Sequence, residues 1–435
     1  MPLDAKAYLQ TIDGSQIVAV KILASQASRA TKHFHIALLL DTSGSMEETG
    51  LPAVMLTLHR LLDTMEDNNY ITIITYCDGS KIVAQETILN KDNRDQLHQV
   101  VSAFTADGHT NLESALHALS RVVEVCSVPI DSVFLLTDGH VNSGMTNAEL
   151  LVALAQESVM KGTPMNTLGF GSNHNATMLR NIALKTRGSY TYADTIEMIP
   201  AMIGDIVGGL VDMVGYNSRI HAPVGFKCLE LNSTEEPAHE CFMGNLVAEK
   251  PMWALFTPPE GWTLEVPYEE KTLAFSYDTS EKHGSFGPQG GYLEVIHIES
   301  EAHNPLEIVE QYERLQVAAS FRRVSAHLEA RRVSQAVTEL TALQQHLESS
   351  PARATTFVHR LGINVTEMIT QVNQSPSWSM DSMATRLISN TTTLDTQQGF
   401  ISRVDSSADD PNESSVFSTP RQRRTTQVLS VRRST

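Results

Sequence analysis

Asp41, Ser43 and Ser45 stand at alternate positions in the run Asp41-Thr42-Ser43-Gly44-Ser45, directly after the apolar stretch His35–Leu40. One carboxylate and two hydroxyls offer hard oxygen donors without nitrogen or sulfur, the chemistry of Mg²⁺ first and Mn²⁺ second. Two later segments carry the oxygens that a single loop lacks. Gly108-His109-Thr110-Asn111 places a hydroxyl at Thr110 ahead of a helical stretch, and Val133-Phe134-Leu135-Leu136 ends in Thr137-Asp138-Gly139. Apolar runs that are continuous, without alternation, read as parallel strands covered on both faces. Asp41 and Asp138 then emerge at the carboxyl ends of strands, the edge at which open α/β sheets bind ligands.

The elements around these loops supply such a sheet. Pro52–Met65 carries apolar residues at helical spacing, and Ile71–Cys77 and Ile82–Ala84 flank Asp78-Gly79-Ser80, a hairpin signal that adds one antiparallel strand. Helical patterns cover Arg94–Phe104 and Leu112–Cys126, a further helix begins at the N-cap Asn147, and Thr163–Phe170, Thr177–Lys185 and Ser189–Tyr192 continue the alternation. The expected fold class is α/β, a doubly wound and mostly parallel sheet.

Asp41, Ser43, Ser45, Thr110 and Asp138, in that order and on those elements, resemble the metal-ion-dependent adhesion site of von Willebrand factor A (VWA) domains at all five positions. The likeness runs from about Lys32 to Val214 and takes in Gly169-Phe170-Gly171-Ser172-Asn173-His174 and Gly188-Ser189-Tyr190. The resemblance implies a cation touched directly by Ser43, Ser45 and Thr110, with Asp41 and Asp138 acting largely through water. It implies one coordination position left for a partner's carboxylate, and a last helix near Ile196–Val214 that shifts in some members of the family.

The remainder of the chain changes texture. Short alternating segments after Gly215, such as Trp262–Val266, Leu273–Tyr277 and Tyr292–Ile298, read as antiparallel strands, and Tyr8–Ile12 and Ile17–Ile22 around Asp13-Gly14 read as a hairpin of the same kind. The VWA-like sheet is therefore expected to be inserted in, or followed by, a β-sandwich, the alternative being two unrelated β modules. A small helical bundle comes next. One helix runs through Ile308, Tyr312 and Leu315, a second carries the stripe Val333, Val337, Leu340, Leu343 and Leu347, and a third carries Phe357, Leu361, Val365, Met368 and Val372, with Ser350-Pro351 as its start. This order is similar to intracellular VWA proteins, some of which carry U-box or Hint-like modules, although no stretch here resembles either module. The expected segments are residues 1–31 (β-hairpin), 32–215 (VWA), 216–304 (β-sandwich), 305–375 (helical) and 376–435, a low-complexity, largely disordered tail. Within that tail, Arg421, Arg423, Arg424, Arg432 and Arg433 lie near Thr419-Pro420 and Thr425-Thr426; a solvated tail is the preferred reading, and a phosphorylation-gated docking peptide the alternative.

Composition excludes several classes. The net charge of −18 argues against general nucleic-acid binding and against attraction to anionic membranes. No apolar run reaches the length of about 18 residues that a membrane-spanning helix needs. The start, Met1-Pro2-Leu3-Asp4-Ala5-Lys6, lacks a basic-then-apolar signal, so a cytoplasmic location is expected. Cys77, Cys126, Cys228 and Cys241 have no Cys-x-x-Cys spacing and read as reduced structural thiols.

The leading reading is a Mg²⁺-dependent protein-interaction module or scaffold that binds an Asp or Glu of a protein partner and is not an enzyme. The alternative is a metal-dependent hydrolase or phosphotransfer enzyme using the same cation as a Lewis acid. That alternative finds no phosphate-binding Gly-rich loop, no nucleophile elbow with an identifiable triad and no activated cysteine in its support. His109 and His140 are expected at the rim of the metal face. A zinc site that adds His33 and His35 is the weaker alternative, because those two lie at the far end of the strand from Asp41.

Overall fold

The structure is a computed structural model, and it describes residues 3–25, 33–48, 50–160, 163–170, 174–193, 203, 213–230, 238–278, 292–299, 305–374, 383–384, 387–388, 390–391 and 394. The chain divides into two units, one built from Met1–Ser28 and Asp212–Thr419, the other from Arg29–Val211 and Pro420–Thr435.

The second of these holds the predicted α/β layer. Its strands are β3 (His35–Asp41), β4 (Tyr70–Tyr76), β5 (Ser80–Ile88), β6 (Ser132–Thr137), β7 (Met165–Phe170) and β8 (Tyr190–Ala193), in the spatial order β5-β4-β3-β6-β7-β8. Every neighbour pair is parallel except β4 with β5, the hairpin that the Asp78-Gly79 turn predicts. All residues of β3, β6 and β7 are buried, which is why the middles of β3 and β6, Ile36–Leu40 and Val133–Leu136, are apolar without alternation. The helices are α1 (Gly50–Thr64), α2 (Lys91–Ser102), α3 (Leu112–Val125), α4 (Ala148–Glu157) and α5 (Ala176–Lys185). Four of them start on an asparagine whose side chain accepts a hydrogen bond from a first-turn N–H, namely Asn90, Asn111, Asn147 and Asn175. Helix α3 buries Leu112, Leu116, Leu119 and Val122 along one face, each side chain contributing about 1.5–3 kcal/mol. Along the chain β4 takes its place on one side of β3 and β6 on the other. The ends of β3 and β6 therefore flank the switch point of the sheet.

The other unit begins with β1 (Leu3–Ile12) and β2 (Ser15–Ala24), joined by Asp13 and Gly14, both at positive φ as a type I′ hairpin requires. The strands that follow in this unit are β9 (Met213–His221), β10 (Lys227–Cys228), β11 (Glu240–Val247), β12 (Met252–Thr257), β13 (Thr272–Asp278) and β14 (Tyr292–Glu299). They form one eight-stranded sheet, ordered β10-β12-β2-β1-β14-β13-β9-β11. The sheet coils so that β11, at one end of the order, meets β12 and β10 near the other end, which gives a sandwich-like β layer from a continuous sheet. Alternation along β2 and β12 divides two cores: Val18, Val20, Ile22, Ala254 and Phe256 face the enclosed β core, while Ile17, Ala19, Trp253 and Leu255 face the helices.

Those helices are α6 (Pro305–Glu329), α7 (Val333–Ser349) and α8 (Thr356–Gln374). Phe357, Leu361, Val365, Met368 and Val372 are all buried on α8, as their spacing requires. The expected start of this helix at Ser350-Pro351 is corrected. Ser350 ends α7, and Thr355 supplies the starting hydroxyl, accepting the Val358 N–H at 3.3 Å. Beyond the bundle, Met383, Ala384, Leu387 and Leu394 are helical and buried in the same core. All of the sequence after residue 394, and with it the docking-peptide reading, lies outside the described residues.

Candidate metal centre

Strand β3 delivers Asp41 to the sheet edge with its side chain fully buried. The chain then folds back over it: Asp41 Oδ1 accepts the Ser43 N–H at 2.9 Å, and Oδ2 accepts the Thr137 hydroxyl proton at 2.6 Å from the end of β6. A turn of 3₁₀ helix, Gly44–Met46, buries Met46 and presents Ser45 outward. Ser45 Oγ lies 3.2 Å from Ser43 Oγ and donates to Asp138 Oδ1 at 2.8 Å. Thr110 completes the group from the loop before α3. A Cβ placed on Gly139 would stand 3.5 Å from Thr110 Oγ1 and 3.6 Å from Ser45 Oγ, so both hydroxyls border the same point. All five residues that the spacing singles out thus lie on one edge of the sheet.

Two strand-like bonds stitch the first two loops together, Gly44 N–H to the Gly108 carbonyl at 3.1 Å and Asp107 N–H to the Thr42 carbonyl at 2.9 Å. The Thr110 N–H donates to Asn142 Oδ1 at 2.8 Å, and the Thr110 carbonyl accepts from the Asn142 and Ser143 amides. Sequence reasoning missed Asn142, whose role depends on a contact across 32 positions. It noted Thr137 only as part of a run, without its bond to Asp41.

The electrostatics of this cluster are one-sided. Burial raises the Asp41 carboxyl above its ordinary pKa, against the lowering effect of its bonds to Ser43 and Thr137. Burial also raises Asp138, opposed by the Ser45 bond and reinforced by the Asp41 charge. No Lys or Arg pairs with either carboxylate among the described residues. Two desolvated carboxylates with three hydroxyls and no compensating cation fit a hard divalent ion, which would supply the missing positive charge. Among the described residues no three His, Cys, Asp or Glu side chains are grouped to hold a metal, so any cation at this edge depends on hydroxyl oxygens.

The histidines separate as their positions on the sequence imply. His35 is buried at the start of β3, its Nδ1–H donating to the Val128 carbonyl at 2.8 Å and its Nε2 accepting from the Thr72 hydroxyl at 2.9 Å. His33 and His140 are exposed, and the ring of His109 turns to Asp78 at 2.8 Å. The glycines of the later motifs have packing reasons. A Cβ on Gly188 would fall 2.1 Å from the Met165 carbonyl oxygen, and one on Gly169 would fall 2.4 Å from the His174 ring. Residues 171–173, and all of 194–212 except Ile203, lie outside the described residues, so the expected mobile last helix does too; Val214 belongs to β9. No helix among the described residues is long and apolar enough to cross a membrane.

Comparison with known proteins bears on residues 35–202, which match the family model of the von Willebrand factor type A domain. Over 186 residues the chain is 26% identical to the uncharacterized protein YfbK of Escherichia coli, covering 42% of this chain and 32% of that one. It is 28% identical over 163 residues to human inter-alpha-trypsin inhibitor heavy chain H3, covering 35% of this chain and 18% of the relative. The chain thus spans about a third or less of the length of these relatives. Among solved structures, a von Willebrand factor type A protein from Catenulispora acidiphila superimposes with a TM-score of 0.62 at 14% identity, covering 90% of this chain and 96% of that one. The ArnB paralog VWA2 from Sulfolobus acidocaldarius gives 0.55 at 16% identity, covering 92% and 99%. At these identities the structural likeness speaks to the fold. Residues 35–202 of this chain form a von Willebrand factor type A domain.

Proposed function

We propose that this chain is a protein-interaction module in which Ser43, Ser45 and Thr110, backed by Asp41 and Asp138, hold Mg²⁺ or, second, Mn²⁺, and that an Asp or Glu of a protein partner completes the shell. The observation that carries this reading is the meeting of the buried Asp41 carboxylate, the half-buried Asp138 carboxylate and three hydroxyls at the switch point of the sheet, with no Lys or Arg paired to either carboxylate among the described residues. When bound, the cation supplies a directional attraction for one carboxylate oxygen. The protein's own part is to hold the donors before the partner arrives, so that little ordering remains to be done on binding.

The rim of these loops favours one kind of partner. Glu47, Glu48, Asp78 and Asp107 are exposed around the site, and the loop residues 42–48, 77–79, 105–111 and 138–147 contain neither Lys nor Arg. With a chain charge of −18, a strongly acidic partner is repelled at long range. The fitting ligand is a single acidic residue flanked by basic ones, and the β-rich and helical unit serves as the scaffold that carries the module. Labelled peptides with an Asp between Lys and Arg residues test this: binding in Mg²⁺ that disappears with chelator and with Asp changed to Asn is expected. Equal binding under all three conditions would reject the reading.

A further inference from the structure

The geometry points to Asp78, in the turn between β4 and β5, as the residue that positions Thr110 for the cation. The inference rests on the metal reading proposed above and adds a part that no ligand motif contains. Asp78 Oδ1 accepts two hydrogen bonds from His109, one from its backbone N–H at 2.9 Å and one from Nδ1–H at 2.8 Å. The same turn holds the residue on the other side of Thr110: the Cys77 carbonyl accepts the Asn111 N–H at 2.9 Å, and the Asp78 carbonyl accepts the Asn111 side-chain amide at 3.0 Å. Residues 109 and 111 are thereby pinned to the hairpin turn, while Asn142 fixes the Thr110 backbone itself from the opposite side.

The loop is shaped around this carboxylate. Gly108 has φ +72°, and a Cβ there would lie 2.6 Å from Asp78 Oδ2, so a side chain at Gly108 would displace the carboxylate as well as strain the backbone. An Asp before Gly in a hairpin is ordinarily explained by turn chemistry, in which the carboxylate bonds to its own turn. Here both hydrogen bonds to the carboxylate come from a residue 31 positions away in the sequence, next to a proposed ligand. Asp78 itself is well exposed, with 65% of its side chain accessible. Its bonds therefore contribute little to the fold as a whole, and what they set is the place of the Thr110 loop.

The test uses the full chain and Mn²⁺ as the probe. Changing Asp78→Ala is expected to weaken Mn²⁺ binding by about 10-fold or more, the usual effect of losing a group that orients a ligand. It is also expected to leave one additional exchangeable water on the bound ion, the same change expected of Thr110→Ala, read by water-proton relaxation. Asp78→Asn keeps an acceptor oxygen and should restore most of the affinity and the wild-type water count. Amide hydrogen exchange at His109 and Thr110 in metal-free protein should quicken in Asp78→Ala and recover in Asp78→Asn. Wild-type affinity, water count and exchange rates in Asp78→Ala would overturn the assignment, as would an Asp78→Asn chain that behaves like Asp78→Ala. If the wild-type chain takes up no Mn²⁺, the metal reading is what fails, and the exchange rates still decide whether Asp78 positions the loop.

Discussion

Replacing Thr137 by Val probes the most deeply buried link of the proposed centre. The two side chains have nearly the same shape, so the change removes one hydroxyl and leaves the packing in place. Thr137 is 3% exposed and Asp41 0% exposed, and the hydroxyl gives Asp41 Oδ2 a 2.6 Å bond, leaving the carboxylate only the Ser43 bonds in its absence. A hydrogen bond to a buried charged group contributes about 1.5–3 kcal/mol. At about 2–4 °C per kcal/mol for a unit of this size, melting of metal-free Thr137→Val protein at neutral pH should fall by about 3–12 °C. Because Asp41 is then free to turn, Mg²⁺ affinity should fall by about 10–100-fold, the range found when groups that orient ligands are lost. Calorimetric titration gives the second number and scanning calorimetry the first. A variant that melts within a degree of wild type and binds Mg²⁺ equally well would show that Asp41 does not depend on Thr137 and that the site is built otherwise.

Other consequences of the structure are independent of metal. Burial lowers the pKa of His35, against the raising effect of the Val128 carbonyl, so the folded chain resists a proton that the unfolded chain accepts near pH 6.5. Its contribution is complete above that pH and declines as pH falls below it, by at most about 1.4 kcal/mol per unit; urea unfolding at pH 7.5 and 5.5 should show a larger loss in wild type than in His35→Asn. Arg314 is completely buried on α6 and binds Glu230 Oε1 at 2.6 Å and the Leu394 carbonyl at 2.7 Å. Arg314→Met leaves the Glu230 carboxylate buried without its guanidinium and should cost about 3–5 kcal/mol, with much of the loss recovered on adding Glu230→Leu. Gly188→Ala sets a methyl carbon 2.1 Å from the Met165 oxygen, and the β7–β8 edge should be destabilised by about 1–3 kcal/mol or more in thermal melts.

The sheet was legible because its central strands β3 and β6 are apolar on both faces, and α4 was legible because Asn147 marks its start. Asp41, Ser43 and Ser45 could be placed at a strand end from the apolar run before them, and Asp138 from the same pattern in β6. What sequence could not supply were contacts between distant segments, such as Asp78 on His109 or Asn142 on Thr110, because nothing local distinguishes those residues from ordinary turn residues. Helix α2 begins at Lys91 and not at Arg94, since Asn90 caps it, a signal that the apolar spacing obscured. Nor does periodicity reveal strand order: β1 beside β14, in parallel, closes a sheet from the two ends of a discontinuous unit. Met383, Leu387 and Leu394 stand at helical spacing, yet the Ser, Thr and Asn between them gave the segment the texture of a tail.

Titration of Mg²⁺ into chelator-treated full-length protein, with Asp41→Ala and Ser43→Ala in parallel, tests the central claim most directly. Saturable binding of one ion per chain, lost in both folded variants, is the predicted result. Absence of binding in the wild type, or binding that survives both substitutions, would contradict the account.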